Sequence, residues 1–165
     1  MKSIAFGIIL TAAAIPASAQ DSAWGYYQPG DGTLQAGVNG TRESQLILKC
    51  VKQGKHRVYA VIVAPNQIAP PAAGAKYTTG EVALEYDGKA PVTDQWRFNG
   101  VFAMAMDLNN VATMTRFGQK LADANKLAVT LKPFRLAPIL LEFNVAGARE
   151  AMQRVYKACR DEPPF

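Results

Sequence analysis

The sequence predicts a mainly β chain of the α+β class: an antiparallel β-sandwich or open barrel with one internal helix and a packed C-terminal helix. Three observations predict it. Short alternating or β-branched runs, punctuated by Gly, Asn and Asp, fill residues 44–106. After Leu108 the apolar period changes from two to a helical one. A last stripe, Ala148, Met152, Val155 and Cys159, recurs at intervals of four, three and four.

The first residues read as a leader rather than as part of this domain. Lys2 gives a positive start, residues 4–15 an apolar run, Pro16 a break, and Ala17-Ser18-Ala19 a small-x-small cleavage pattern. The apolar run is shorter than the roughly 20 residues a membrane span needs. No cysteine follows it to carry a lipid. The expected divisions are a signal peptide at 1–19, cleaved after Ala19, and a single exported domain at 20–165. The expected location is periplasmic or secreted, with no membrane span after cleavage.

Trp24, Tyr26 and Tyr27 form an aromatic patch that is a candidate binding surface for sugar rings or a partner's side chains. Pro29-Gly30-Asp31-Gly32 and Asn39-Gly40 are turn signals. Asn39-Gly40-Thr41 matches a glycosylation sequon, which is incidental behind a leader of prokaryotic type. Residues 44–51 predict a strand with Leu46, Leu48 and Cys50 on one face. Gly54 turns the chain, and residues 56–63, apolar on both faces, predict a central strand. Residues 64–80 are rich in Pro, Ala and Gly. They predict a long loop, Pro-rich over 64–78, that is either mobile or functional.

Residues 81–86 alternate cleanly, with Val82, Leu84 and Tyr86 on one side and Glu81 and Glu85 on the other. Asp87-Gly88 is a turn. Residues 92–98 and 101–106 continue the β pattern around Asn99-Gly100. Val111, Met114, Phe117 and Leu121 then predict a helix over 109–123. Residues 126–131 and 138–145 return to strands. Residues 146–158 predict the closing helix, with Arg149, Arg154 and Lys157 outside its apolar stripe. Positive charge there and at Arg160 suits the C-terminal end of the helix dipole. The tail Glu162-Pro163-Pro164-Phe165 cannot prolong it. No internal repeat or linker divides the chain.

The residues that carry chemistry are few. Cys50 and Cys159 are an even pair in an exported chain, which favours a disulfide; they lack the Cys-x-x-Cys spacing of a redox couple. His56 is the single histidine. It has no neighbours at metal-ligand spacing and no nucleophile triad around it. Gly-x-Ser-x-Gly, the P-loop and His-Glu-x-x-His are all missing. Glu81 and Glu85 lie about 13–14 Å apart along one strand face, too far for a glycosidase pair. Trp96 alternates with Asp94 and Phe98 and belongs to the core. The expectation is no catalytic residue, no metal and no cofactor.

Lysine and arginine number 18 against 13 acidic residues, a formal charge of +5. The excess is spread out, as Lys49, Lys52, Lys55 and Arg57 show. Such a spread reads first as a solvated surface and second as attraction to an anionic partner such as a cell-envelope polymer. Export and the lack of an arginine-rich arm argue against nucleic acid.

Several of these features together resemble the VasI family, small exported proteins associated with type VI secretion loci. The resemblance runs over residues 44–159. It rests on Leu46-Ile47-Leu48-Lys49-Cys50, on Glu85-Tyr86-Asp87-Gly88, on Gln95-Trp96, and on the helix with Phe117 and Leu121. It ends with Leu141-Glu142-Phe143-Asn144-Val145-Ala146-Gly147 leading to Lys157-Ala158-Cys159. A weaker resemblance, through Phe143 to Gly147, is to invasion-associated locus B proteins. These families supply no catalytic residues to carry over.

The functional expectation is a non-enzymatic periplasmic accessory or binding protein for an unknown protein or cell-envelope partner, with an implied link to a secretion system. The alternatives are a cell-envelope hydrolase, or an inhibitor of one, and a secreted virulence or surface factor. A hydrolase would have to gather distant residues, such as His56 with Asp94 or Glu142.

Overall fold

The structure, a computed structural model, describes residues 24–30, 33–51, 57–70, 77–108 and 111–165. The leader at 1–19, His56 and residues 71–76 of the Pro-rich stretch lie outside the described residues. The strands are β1 (Gly25–Tyr27), β2 (Gln35–Asn39), β3 (Gln45–Cys50), β4 (Val58–Val63), β5 (Thr78–Tyr86), β6 (Val92–Asn99), β7 (Phe102–Ala105), β8 (Asp107–Leu108), β9 (Val111–Ala112), β10 (Lys126–Lys132) and β11 (Ile139–Asn144). The helices are α1 (Thr113–Leu121) and α2 (Ala148–Cys159).

Nine strands form one antiparallel sheet in the order β1-β2-β3-β4-β7-β6-β5-β10-β11, and β8 and β9 make a separate small ladder. The chain is therefore mainly β in the α+β class. The large sheet is open, yet it is rolled. Gly40, just past β2, bridges Phe143 of β11, although six strands separate the two in the sheet order. Beside that bridge the Glu142 N–H donates to Thr41 Oγ1 at 3.0 Å. The Trp24 indole N–H donates to the Val145 carbonyl at 3.3 Å.

The roll follows from the period of two. Val38, Leu46, Ile62, Ala103 and Phe98 stand in register across five neighbouring strands. Leu84, Val129 and Leu141 do the same across β5, β10 and β11. All of them are buried. One face is thus apolar throughout, and the helices fill the hollow that it makes. α2 lies against β2, β3 and β4, and α1 against β4, β6 and β7. The Phe117 ring meets Trp96 edge-on, with centroids 5.1 Å apart and planes at 86°. The stripe Ala148, Met152, Val155 and Cys159 is buried as the sequence pattern requires.

Two close approaches require glycine. A Cβ on Gly80 would overlap the Phe98 ring, and one on Gly40 would overlap the Phe143 ring. In both places an aromatic ring covers bare backbone on the inner face.

The end of α2 is fixed three ways. Cys159 is disulfide-bonded to Cys50 at the end of β3, with Cα atoms 5.9 Å apart. Arg160 takes the left-handed conformation, and the N–H groups of Arg160 and Asp161 return to Lys157 and Tyr156, which makes a Schellman cap. The Asp161 carboxylate then accepts from the N–H groups of Arg57 and Val58, at the start of β4.

Two boundaries differ from the sequence reading. α1 begins at Thr113, not near 109, because Val111 and Ala112 pair with Leu108 and Asp107. Asp107 then accepts from the Thr115 N–H at 3.1 Å and from its hydroxyl, satisfying the first turn from outside the helix. In the stretch read as a loop, β5 already starts at Thr78. Ile68 and Ala69 are buried there, and their N–H groups donate to the Gly100 carbonyl. Part of that segment is therefore pinned to the β6–β7 turn.

Replacing Gly80 with Ala should cost about 1–3 kcal/mol, because the buried Phe98 ring cannot withdraw; urea unfolding of the variant measures this. The Cys50–Cys159 bond closes a loop with a sequence separation of 109. Its removal in a Cys50→Ser, Cys159→Ser double variant should cost roughly 2–5 kcal/mol. A midpoint equal to that of the oxidised wild type would contradict that.

Candidate functional site

The β10–β11 connection is Lys132-Pro133-Phe134-Arg135-Leu136-Ala137-Pro138. Pro133 and Pro138 cannot donate to a ladder, so the strands stop at them. The Leu136 N–H closes a turn onto the Pro133 carbonyl at 3.4 Å, and Arg135 takes a left-handed φ of 61°. This turn leaves Phe134 81% exposed and Leu136 54% exposed. The Arg135 guanidinium lies over the Phe134 ring, 4.9 Å from its centroid.

Under the turn is a cleft of about 570 Å³. Its other walls are Gln67–Pro70, Thr78, Thr79 and Phe98. Two of its polar side chains are engaged by the protein's own backbone. Gln67 donates to the Ala69 carbonyl at 3.0 Å and Thr78 to the Phe98 carbonyl at 3.2 Å. What remains to meet a ligand is apolar surface, the Thr79 hydroxyl and the cationic Arg135. Next to Thr78 in sequence, Tyr77 is 41% exposed, with the Arg97 guanidinium 5.5 Å above its ring. Lys132 makes an ion pair with Glu81.

Two further clefts hold several charged residues each. One, of about 440 Å³, holds Glu85, Asp87, Lys126 and Glu142. Glu85 and Glu142 both stand opposite Ala128, on either side of β10. The N–H groups of Lys126 and Asn125 donate to Asp87 at 2.8 and 2.9 Å and hold its carboxyl below the usual range. The other, of about 500 Å³, lies beside the end of α2 between Asp107, Tyr156 and Asp161. Burial, followed by the charges of Asp161 and Asp107, raises the Tyr156 phenol well above its ordinary value. Among the described residues no three His, Cys, Asp or Glu side chains form a metal-holding group.

The aromatic patch read from the sequence divides. Trp24 is buried in the seam between β1 and β11. Tyr26 lies under the Arg154 guanidinium at 4.7 Å, and Tyr27 lines a small recess with Gly37 and Ile47. Cys50 and Cys159 come together; Glu81 and Glu85 face away from the core. Phe134, Arg135 and Leu136 were not singled out by sequence reasoning. The available signal was an apolar pair held between two prolines in a hairpin connection, where polar turn residues are the rule.

These features define a small α+β domain, closed by a disulfide, whose rolled sheet holds its helices inside and shows an apolar, cationic end. The chain belongs to the YfjT family, matched over residues 22–152. No curated protein and no solved structure matches it.

The lowered Asp87 value has a defined consequence for stability. Its contribution is present above the unfolded carboxylate value of about 3.9 and is lost as pH falls through the lower folded value. An Asp87→Asn variant should therefore lose stability at pH 7 and approach wild type near pH 2. Denaturant midpoints at the two pH values test this, and a constant difference between the proteins would refute it.

Proposed function

We propose that this chain works outside the cytoplasm, in the periplasm or beyond the cell, as a non-enzymatic accessory protein. It binds a cell-envelope partner through the apolar end of its rolled sheet. The observation that carries this reading is the turn that holds Phe134 and Leu136 in water beside an apolar cleft. Contiguous apolar surface of this kind marks interaction sites. The three-part leader at 1–19 and the Cys50–Cys159 pair support export. The resemblance of residues 44–159 to VasI-like proteins supports a place beside a secretion machine.

A hydrolase is the second reading, and one observation favours it. Glu85 and Glu142, in register across β10, are two strand spacings apart, about 9–10 Å. That lies near the upper end of the separation used by inverting carboxylate pairs.

The test is site-specific photocrosslinking in cells, with a benzophenone side chain placed at Phe134 or at Tyr27. We expect adducts at position 134 and none at 27 in the extracytoplasmic fraction. No adduct at 134 would sink the binding reading. Peptidoglycan cleavage that disappears in Glu142→Gln would put the hydrolase first.

A further inference from the structure

We propose that the partner met by this end is an anionic bilayer surface, an inference that rests on the binding reading above. Three observations point there. First, the apolar side chains are presented as a wedge. Phe134 and Leu136 stand on a turn stiffened by Pro133 and Pro138, above the cleft that they help to line. Side chains of this kind enter the boundary between headgroups and acyl chains.

Second, the charges at this end fit anionic headgroups. The charged groups that strand register and the turn place at this end include Arg97, Lys132, Arg135 and Glu81. Lys132 neutralises the carboxylate of Glu81. Arg97 and Arg135 lie over aromatic rings, so each pairs an apolar plane with a positive group at the same depth. A bilayer interface offers that combination, acyl carbon below and phosphate above.

Third, the cleft offers little with which to read a peptide. Gln67 and Thr78 donate to the protein's own carbonyls. What is left is one hydroxyl, that of Thr79, with apolar contact and positive charge, a set that suits a lipid surface better than a defined peptide sequence. The contact is peripheral: the turn and the rim of the cleft sit in the headgroup layer.

The mature chain is tested by co-sedimentation with vesicles of phosphatidylglycerol and phosphatidylethanolamine, alongside vesicles of phosphatidylcholine. Binding to the anionic vesicles should be about tenfold tighter and should weaken severalfold as salt is raised. Phe134→Ser should lower it about tenfold, the loss expected for withdrawing much of one aromatic side chain from the acyl region. Arg135→Glu should lower it severalfold. Tyr27→Ser, on edge strand β1, should leave it unchanged. Circular dichroism checks that each variant is folded, and all the substituted side chains are exposed.

Equal binding to both vesicle types, no binding, or wild-type binding by Phe134→Ser would each overturn the inference. So would a dimer in sedimentation equilibrium that Phe134→Ser abolishes, which would assign the surface to a second copy. Protein adducts at position 134 in cells, with no vesicle binding, would end this inference and leave the binding reading standing. Loss of both would end both.

Discussion

A sheet of nine strands with one apolar face must hide that face, and burying it against two helices governs the rest of this molecule. The inward rows, such as Val38-Leu46-Ile62-Ala103-Phe98, run without interruption across strands. A flat sheet would need a second layer of similar width to cover them. Two helices of 9 and 12 residues are too small for that. The sheet rolls around them instead, and its first and last parts come to face each other. Gly40 under Phe143 and Gly80 under Phe98 are the places where the inner surface is thinned to admit a ring. The buried Trp96–Phe117 contact joins α1 to the same wall.

Much of this was legible locally. The alternation in residues 81–86 and 126–131, and the stripe from Ala148 to Cys159, each depend on one segment and one period. They emerge as β5, β10 and α2. What was not legible depends on partners far away in sequence. Trp24, with Tyr26 and Tyr27, could belong to a core edge or to a surface patch, and the choice depends on a carbonyl 121 residues away. The start of α1 moved because Val111 and Ala112 found strand partners and Asp107 supplied the first turn's acceptor. The candidate site was missed for a related reason. Phe134 and Leu136 follow a strand and read as its apolar continuation, and only Pro133 says that the strand has ended.

The end of α2 concentrates the structure's polar order. The Schellman cap returns two N–H groups to the helix, and Asp161, just beyond it, accepts from the backbone where β4 begins. With the disulfide, this holds helix, β3 and β4 in one junction. Tyr156 lies there between Asp107 and Asp161, and burial with the two nearby carboxylates raises its phenol well above its ordinary value. The end with the β10–β11 turn carries Arg97 and Arg135 on aromatic rings and pairs Glu81 with Lys132. The molecule is thus polarised, with one end ordered by internal hydrogen bonds and the other offering carbon and positive charge.

The seam between β2 and β11 also sets an order of events. It joins residue 40 to residue 143, while the disulfide joins 50 to 159 and the Trp24 indole reaches residue 145. Contacts at such separations form late, after the closure entropy of a long loop has been met. A nascent chain that stops short of β11 has hairpins but no seam. Its inner face is not enclosed, and Cys50 has no partner. Enclosure of the core is thus withheld until residues 139–159 have emerged, and until then the polypeptide remains a loose, threadable strand.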